Sequence, residues 1–482
     1  MLAKVIDSIF IFAYLALMAF IGIIAYRKNK TSEDFFVAGK SLGTFSIAVL
    51  WFGGEIGGAS IIAASTNVYN YGISGIWYII IIAFACTVFA VMLTKKVKSV
   101  GDRLGVITYP SLICERYGRK PSDIAVICAF IANLGFLASQ FVAMTSMLVT
   151  ITGWSMPISF IISTIVTVFY SSLGGYRAVT YTTWFQAVLI LLGTVILGFP
   201  IVAVNIGGIE QVKVLPVEWF DWGRSGWPTI LALAVSTTLS YQTGMSHYTS
   251  CFSAKDGKSA KKGVLWAAVS VLFIAFSVAF IGLGARILMP NLSPDVSPYV
   301  AIIKELFPMG LSGLVIVGVF AAVMSTADVS INCCAANISV DFYKNIVNPK
   351  ASDKKVMRLG ILSSFVVSAI AALMAWWKQD IIELLLLAYT FQAATLFIPT
   401  ICGLFWRKPT QKAAFYSMLV SLAVVLVWLV GDGLKLGSAF KIDALWPGLI
   451  TSALTFIVLV FAIKPSGDDE RRVKRFFSDK MI

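Results

Sequence analysis

Residues 52–60 read Phe52-Gly53-Gly54-Glu55-Ile56-Gly57-Gly58-Ala59-Ser60 and lie inside an apolar run long enough to cross a bilayer. Four of the six residues 53–58 are glycine, a poor helix former. A carboxylate at that depth costs about 2.5–3.5 kcal/mol on insertion scales. A run that had only to span the bilayer would carry neither feature. The expectation is an interrupted helix, with carbonyls released from the ladder and Glu55 facing a cavity. The glycines also suit close helix packing, because Gly53/Gly57 and Gly54/Gly58 have small-xxx-small spacing. Packing alone leaves Glu55 unexplained.

The rest of the chain has the same solvent in view. Of its 482 residues, 58% are hydrophobic and 13% charged, the composition of an all-α polytopic membrane protein. The loops are short, so a single transmembrane domain takes residues 1–482. Thirteen spans are expected, at 5–26, 44–68, 73–94, 122–151, 156–173, 179–204, 229–251, 263–288, 309–340, 357–377, 382–405, 412–430 and 444–463. With the N-terminus outside, 30 of the 38 Lys and Arg residues fall in inner segments and 8 in outer ones. That asymmetry favours an N-out, C-in, multi-pass protein of the plasma membrane. It also accounts for the net charge of +14 without a nucleic-acid partner. The run from Val5 to Tyr26 reads as an uncleaved helix, followed by Arg27, Lys28 and Lys30. None of the seven cysteines falls in an outer loop, so no disulfide framework is indicated.

Of the 24 acids, only Glu55 and Asp328 lie well inside spans. Hydropathy suggests two five-helix units, 44–204 and 229–405, inverted in the membrane because each holds an odd number of helices. An extra N-terminal helix (5–26) precedes them; two C-terminal helices (412–463) and a tail (464–482) follow. Each unit opens on an interrupted helix, the second at the hydroxyl-rich run Ser236 to Gly244.

The ninth span carries Ala322-Val323-Met324-Ser325-Thr326-Ala327-Asp328. At about 100° per residue, Ala322, Ser325 and Thr326 share one arc. Hydroxyls with one or two carbonyls suit a hard monovalent cation such as sodium. The same hydroxyls can instead bond back to their own helix. Asp328 beside them is a functional hypothesis by default, and carbonyls released near Gly53 and Ile56 would complete the site.

Three motifs then matter together: Gly39-Lys40-Ser41-Leu42-Gly43, Gly174-Gly175-Tyr176-Arg177-Ala178-Val179-Thr180-Tyr181-Thr182 with Gln186, and Ala322-Val323-Met324-Ser325-Thr326. Their combination resembles the sodium:solute symporter family over nearly the whole chain, from about Ala13 to Lys464. The resemblance implies a leucine-transporter-type five-plus-five inverted repeat and a sodium-coupled symporter that imports a small organic solute by alternating access. It implies sodium as the co-transported ion, bound by the carbonyls of Gly53, Ile56 and Ala322 and the hydroxyls of Ser325 and Thr326. Proline-type members carry an aspartate where this chain has Glu55. The family motif continues Thr-Asp where this chain has Thr182-Thr183. Either a second cation site is absent or its charge has moved to Asp328; Asp328 and Thr183 are the candidates for a second cation or for coupling, and a single sodium is favoured.

Candidate substrate or gate residues are Glu55, Gly57 and Gly58, then Asn133, Phe136 and Gln140, then Tyr241 and Gln242, and finally Tyr389 and Gln392. Glu55 favours an amino acid or amine, provided it is ionised and unpaired. His247, the single histidine, reads as a packed or interface residue; in a proton-coupled carrier of the same fold it would instead take part in coupling. The tail from Asp468 to Lys480 reads as solvated or headgroup-facing. One histidine excludes bis-histidine haem and His-x-x-x-His metal sites. The two Gly-Lys-Ser tripeptides lack the upstream glycine of a P-loop, and no filter repeat marks a channel. No enzyme, organic cofactor or obligate protein partner is indicated. A transport-inactive membrane sensor is the remaining alternative.

Overall fold

A computed structural model describes residues 10, 13–14, 16–18, 20–24, 31–171, 175–293, 296–308 and 310–478. Half of the expected first span, 5–26, lies outside them, and its described residues are helical. Helix α1 (Thr44–Glu55) stops at the glycine pairs, a π-helical turn (Ala59–Ala63) follows, and α2 (Ala64–Tyr71) resumes. A turn at Gly72 leads into α3 (Trp77–Met92). Next come α4 (Thr94–Leu104), α5 (Tyr109–Tyr117), α6 (Arg119–Thr152), α7 (Met156–Ser171) and α8 (Gly175–Leu191). The second half begins with α9 (Trp227–Tyr241) and α10 (Met245–Ser253), separated by Gln242–Gly244. It continues through α11 (Gly257–Leu288), α12 (Pro298–Leu306), α13 (Leu311–Ala336), α14 (Asp353–Trp377), α15 (Ile381–Thr390) and α16 (Phe397–Phe405). Helices α17 (Gln411–Gly433), α18 (Leu445–Ala462) and α19 (Gly467–Phe477) close the chain.

Among the described residues, nine helical segments are long and apolar enough to cross a membrane; eight match an expected span, and the ninth, Ala59–Met92, runs through the Gly72 turn from the expected span 44–68 into 73–94. Three further expected spans are present in another form. The segments 44–68 and 229–251 are each split in two, and α7 is 16 residues long. Both splits fall at the start of the expected five-helix units.

Helix α13 is the centre of the packing. It lies against α6, α8 and α1, and only Thr326 on its stretch from Ser325 to Ala336 is less than fully buried. An apolar helix surrounded by other helices needs no polar face, which fits its apolar run from Gly313 to Met324. Helix α1 is held between α11, α8 and α13. A Cβ on Gly53 would stand 2.3 Å from Thr183 Cγ2, and one on Gly58 2.1 Å from Ala143 Cβ. The glycines therefore serve both expected purposes: close approach at Gly53 and Gly58, and interruption of the helix between Glu55 and Ala59.

The tail departs from expectation. It forms α19, whose N-terminus is closed by reciprocal bonds between Ser466 and Asp469. Phe476 is buried against Leu112, Tyr117 and Leu404. Arg103 donates to the carbonyls of Phe476 and Ser478, and Asp469 Oδ1 accepts from the Gln411 amide at 2.8 Å. The ring of Phe477 meets Lys96 at 4.8 Å and Arg407 at 5.4 Å. An apolar pair following a charged turn lets this segment dock by cation–π contact and burial.

Candidate functional site

The first helix break and α13 bring oxygens together. Ser325 Oγ donates towards the Gly53 carbonyl at 2.6 Å and the Ala322 carbonyl at 2.9 Å. Thr326 Oγ1 lies 3.3 Å from both carbonyls. Two hydroxyl protons thus serve four oxygens, and most of the lone pairs there are without a proton. The hydroxyls bond back to the Ala322 carbonyl, as one of the two expected readings has it, and also reach the Gly53 carbonyl of the broken helix. Ile56, with φ −92° and ψ 87°, marks where the helix ends. The Ser60 amide, which would bond the Ile56 carbonyl in a continuous helix, bonds Gly57 at 3.1 Å instead. Gly53, Ala322, Ser325 and Thr326 are therefore in direct contact, and Ile56 sits at the break beside them.

The Thr183 hydroxyl is turned to its own helix. Thr183 Oγ1 donates to the Val179 carbonyl at 2.5 Å, and its methyl packs on Gly53. Asp328 is buried near Tyr14, whose hydroxyl accepts from Gln186 at 2.9 Å. It does not line the central cavity.

That cavity lies between the two breaks. Glu55, Gly57, Phe136, Gln140, Tyr241, Tyr389 and Gln392 line it, as expected. Gln140 Oε1 accepts from the Gly58 amide at 2.9 Å, so Gly58 is fixed just behind the wall. Tyr389 bonds Tyr78 at 3.1 Å and meets Phe136 edge-on at 5.4 Å. Gln392 Oε1 accepts from Ser240 at 2.5 Å. Besides Gly58, two more expected residues are not part of the lining. Asn133 bonds back to the Ala129 carbonyl at 2.7 Å, and Gln242 to the Thr238 carbonyl at 2.9 Å.

Glu55 is paired, contrary to the premise that pointed to a free anion. Its Oε1 lies 2.8 Å from His247 Nε2, and its Oε2 accepts from the Tyr241 hydroxyl. His247 Nδ1 lies 2.9 Å from the Tyr241 carbonyl. A carbonyl only accepts, so Nδ1 carries a proton. The approach of Nε2 to a carboxylate then requires a second proton, placed between them. The pair as a whole is neutral, which is how a buried charge becomes tolerable. The ring of His247 also stacks on Trp51, 4.6 Å and 20° from parallel. His247 is thus a partner of Glu55 and not a mere packing residue. The sequence signal was available in part: it is the single histidine, placed just beyond the Gly244 break.

The protein is an integral, multi-pass membrane protein, and its comparisons agree with that architecture. The profile of the Sodium:solute symporter family matches residues 35–421. The sodium/pantothenate symporter of Escherichia coli strain K12 is 26% identical over 459 residues, covering 92% of this chain and 94% of that protein. Sodium/proline symporter 2 of Staphylococcus saprophyticus is 25% identical over 480 residues, covering 95% and 93%. Among solved structures, a Na+-coupled sialic acid symporter superposes with a TM-score of 0.80 at 17% identity, covering 95% of this chain and 98% of that one. Mhp1, a nucleobase-cation-symport-1 family transporter, superposes at 0.55 and 18% identity, covering 93% and 99%. These likenesses give the fold, a leucine-transporter-type arrangement with a broken helix opening each half. With the match running across most of its length, the chain belongs to the sodium:solute symporter family.

Proposed function

We propose that this protein imports a small organic solute across the plasma membrane, driven by sodium and working by alternating access. The observation that carries the reading is the oxygen cluster of Gly53, Ala322, Ser325 and Thr326 at the first break. A sodium ion there takes two carbonyls and two hydroxyls as ligands, with the Ile56 carbonyl as a fifth oxygen. Thr183 supports a single ion, because its hydroxyl is committed to Val179 and it has no charge to offer. Sodium orders the break and favours the outward-facing form; the solute binds beside it and the gates close. Entry of the ion is aided by about 2.3 kcal/mol per charge per 100 mV.

The solute reading follows from the cavity. Among the described lining residues there is no Lys or Arg, and the Glu55–His247 pair is neutral as a unit. A solute with a net negative charge would meet no Lys or Arg there, and any charge on His247 is already matched by Glu55. A zwitterionic or neutral molecule fits better, with an amino acid as the favoured class. Phe136 and Tyr389 would form its walls; Glu55, taken up by His247 and Tyr241, offers no free anion to an ammonium.

The test is Ser325→Ala with Thr326→Ala in proteoliposomes, alongside a thermal-shift screen of amino acids, amines, sugars and carboxylates with and without sodium. Sodium-dependent uptake should disappear at normal expression. Uptake that keeps its sodium dependence in the double variant, or that follows a pH gradient and ignores sodium, overturns the assignment.

A further inference from the structure

Glu55 links more than one helix. On α1, Trp51 and Glu55 are four residues apart and so share a face, while Gly53 lies on the opposite side of the same turn. The Gly53 side meets Ser325 and Thr326 of α13 and Thr183 of α8. The opposite side holds His247: Trp51 stacks on its ring, and Glu55 bonds its Nε2 at 2.8 Å. The last turn of α1 is closed by the Ile56 amide on the Phe52 carbonyl at 2.9 Å. Gly53 and Glu55 therefore move as one body.

The far end of this connection is the second break. Tyr241 is the last residue of α9 and His247 the third of α10. Both bond the same carboxylate, one to each oxygen. His247 Nδ1 also bonds the Tyr241 carbonyl at 2.9 Å, and the Tyr248 hydroxyl bonds the Gln242 carbonyl at 2.9 Å. Two carbonyls released by the second interruption are thus capped by side chains just beyond it, and one of those side chains reaches across to the first interruption.

We infer that Glu55, His247 and Tyr241 form a strut by which a cation at the first helix break sets the conformation of the second. The inference rests on the sodium reading above and adds a relay to it. A cation between Gly53 and α13 repositions the Gly53 carbonyl; the closed last turn of α1 carries that shift to Glu55. Because Glu55 grips both α9 and α10, the shift reaches the Gln242–Gly244 hinge and the Tyr241 wall of the solute cavity. Glu55 is a positioning residue in this scheme, and so is His247. Neither needs to touch the ion.

The experiment measures hydrogen–deuterium exchange on the purified full-length protein in nanodiscs, with sodium chloride against choline chloride at equal ionic strength. Sodium is the probe, so no solute need be known. In the wild type, sodium should slow exchange at 57–63 and also at 242–248. The second effect should be about fivefold or more, the lower end of coupling between sites. His247→Ala should keep the protection at 57–63 and lose that at 242–248. Tyr241→Phe, which removes one oxygen and no volume, should reduce the second effect and spare the first. This pattern separates a relay from a merely structural histidine, whose loss would loosen both breaks with or without sodium. Protection at 242–248 that persists undiminished in both variants overturns the strut, as does a wild-type response confined to 57–63. A wild type indifferent to sodium at both breaks overturns the sodium reading itself, and the relay with it.

Discussion

Gly53→Ala is the sharpest test of the close approach at the first break. The added Cβ would stand 2.3 Å from Thr183 Cγ2, about 1 Å inside ordinary carbon–carbon contact. Thr183 cannot easily turn away, because it is β-branched on a helix and its hydroxyl is tied to the Val179 carbonyl at 2.5 Å. The overlap must instead separate α1 from α8, at a cost of about 1–3 kcal/mol. The same displacement draws the Gly53 carbonyl from Ser325 Oγ, now 2.6 Å away. Each 1.4 kcal/mol lost there weakens sodium about tenfold. Thr183→Ser removes only the offending methyl and keeps the hydroxyl; alone it should cost about 1 kcal/mol or less. Combined with Gly53→Ala it should restore most of the stability and most of the sodium affinity, a strongly non-additive cycle. Thermal denaturation and the sodium dependence of uptake, on all four proteins, read both quantities. Wild-type behaviour of Gly53→Ala, or a defect that Thr183→Ser leaves untouched, would refute the reasoning.

Two further substitutions address other parts of the molecule. Gln140→Leu leaves the Gly58 amide buried without its 2.9 Å acceptor, a loss of about 1–3 kcal/mol; the apparent KM for solute should rise severalfold, measured by uptake over a concentration series. Phe476→Ala truncates the buried phenylalanine of α19, a change that costs about 3–5 kcal/mol at a fully buried site; the melting temperature should fall, and an unchanged value would mean that the tail does not dock.

What the sequence revealed follows from cost. Glycines and a carboxylate at membrane depth are expensive, so their positions were readable, and the hydroxyls of Ser325 and Thr326 followed from helical phase. The partner of Glu55 was not readable, because His247 lies 192 residues away and only the folding of one half against the other brings them together. The helical period also failed where it should. Gln242 lies within the second interruption, where 100° per residue no longer describes the backbone, and its side chain turns back to Thr238. Asn133 sits one turn before Phe136, close to the lining face, yet satisfies itself on its own helix. The charged residues of the tail are largely exposed, as charge suggests, but charge alone did not show that Phe476 would be buried. The tail's Ser466–Asp469 start signal and the adjacent Phe476 and Phe477 carried the information that it would fold and dock.

The oxygens gathered at the first break belong in part to the main chain. Gly53 and Ala322 contribute carbonyls, and no side-chain replacement deletes a carbonyl. An alanine scan would therefore register Ser325 and Thr326 by the loss of their oxygens, Gly53 only indirectly through the added methyl, and Ala322 not at all. Replacing the amide after Gly53 by an ester, which weakens the carbonyl as a donor of electron density, would probe the main-chain part directly. The same property would leave the clustered carbonyls in place under side-chain changes that keep the path of the backbone, which Gly53 and Gly58 do not permit. Recognition of the ion would then be inherited as a shape of the chain more than as a set of residues.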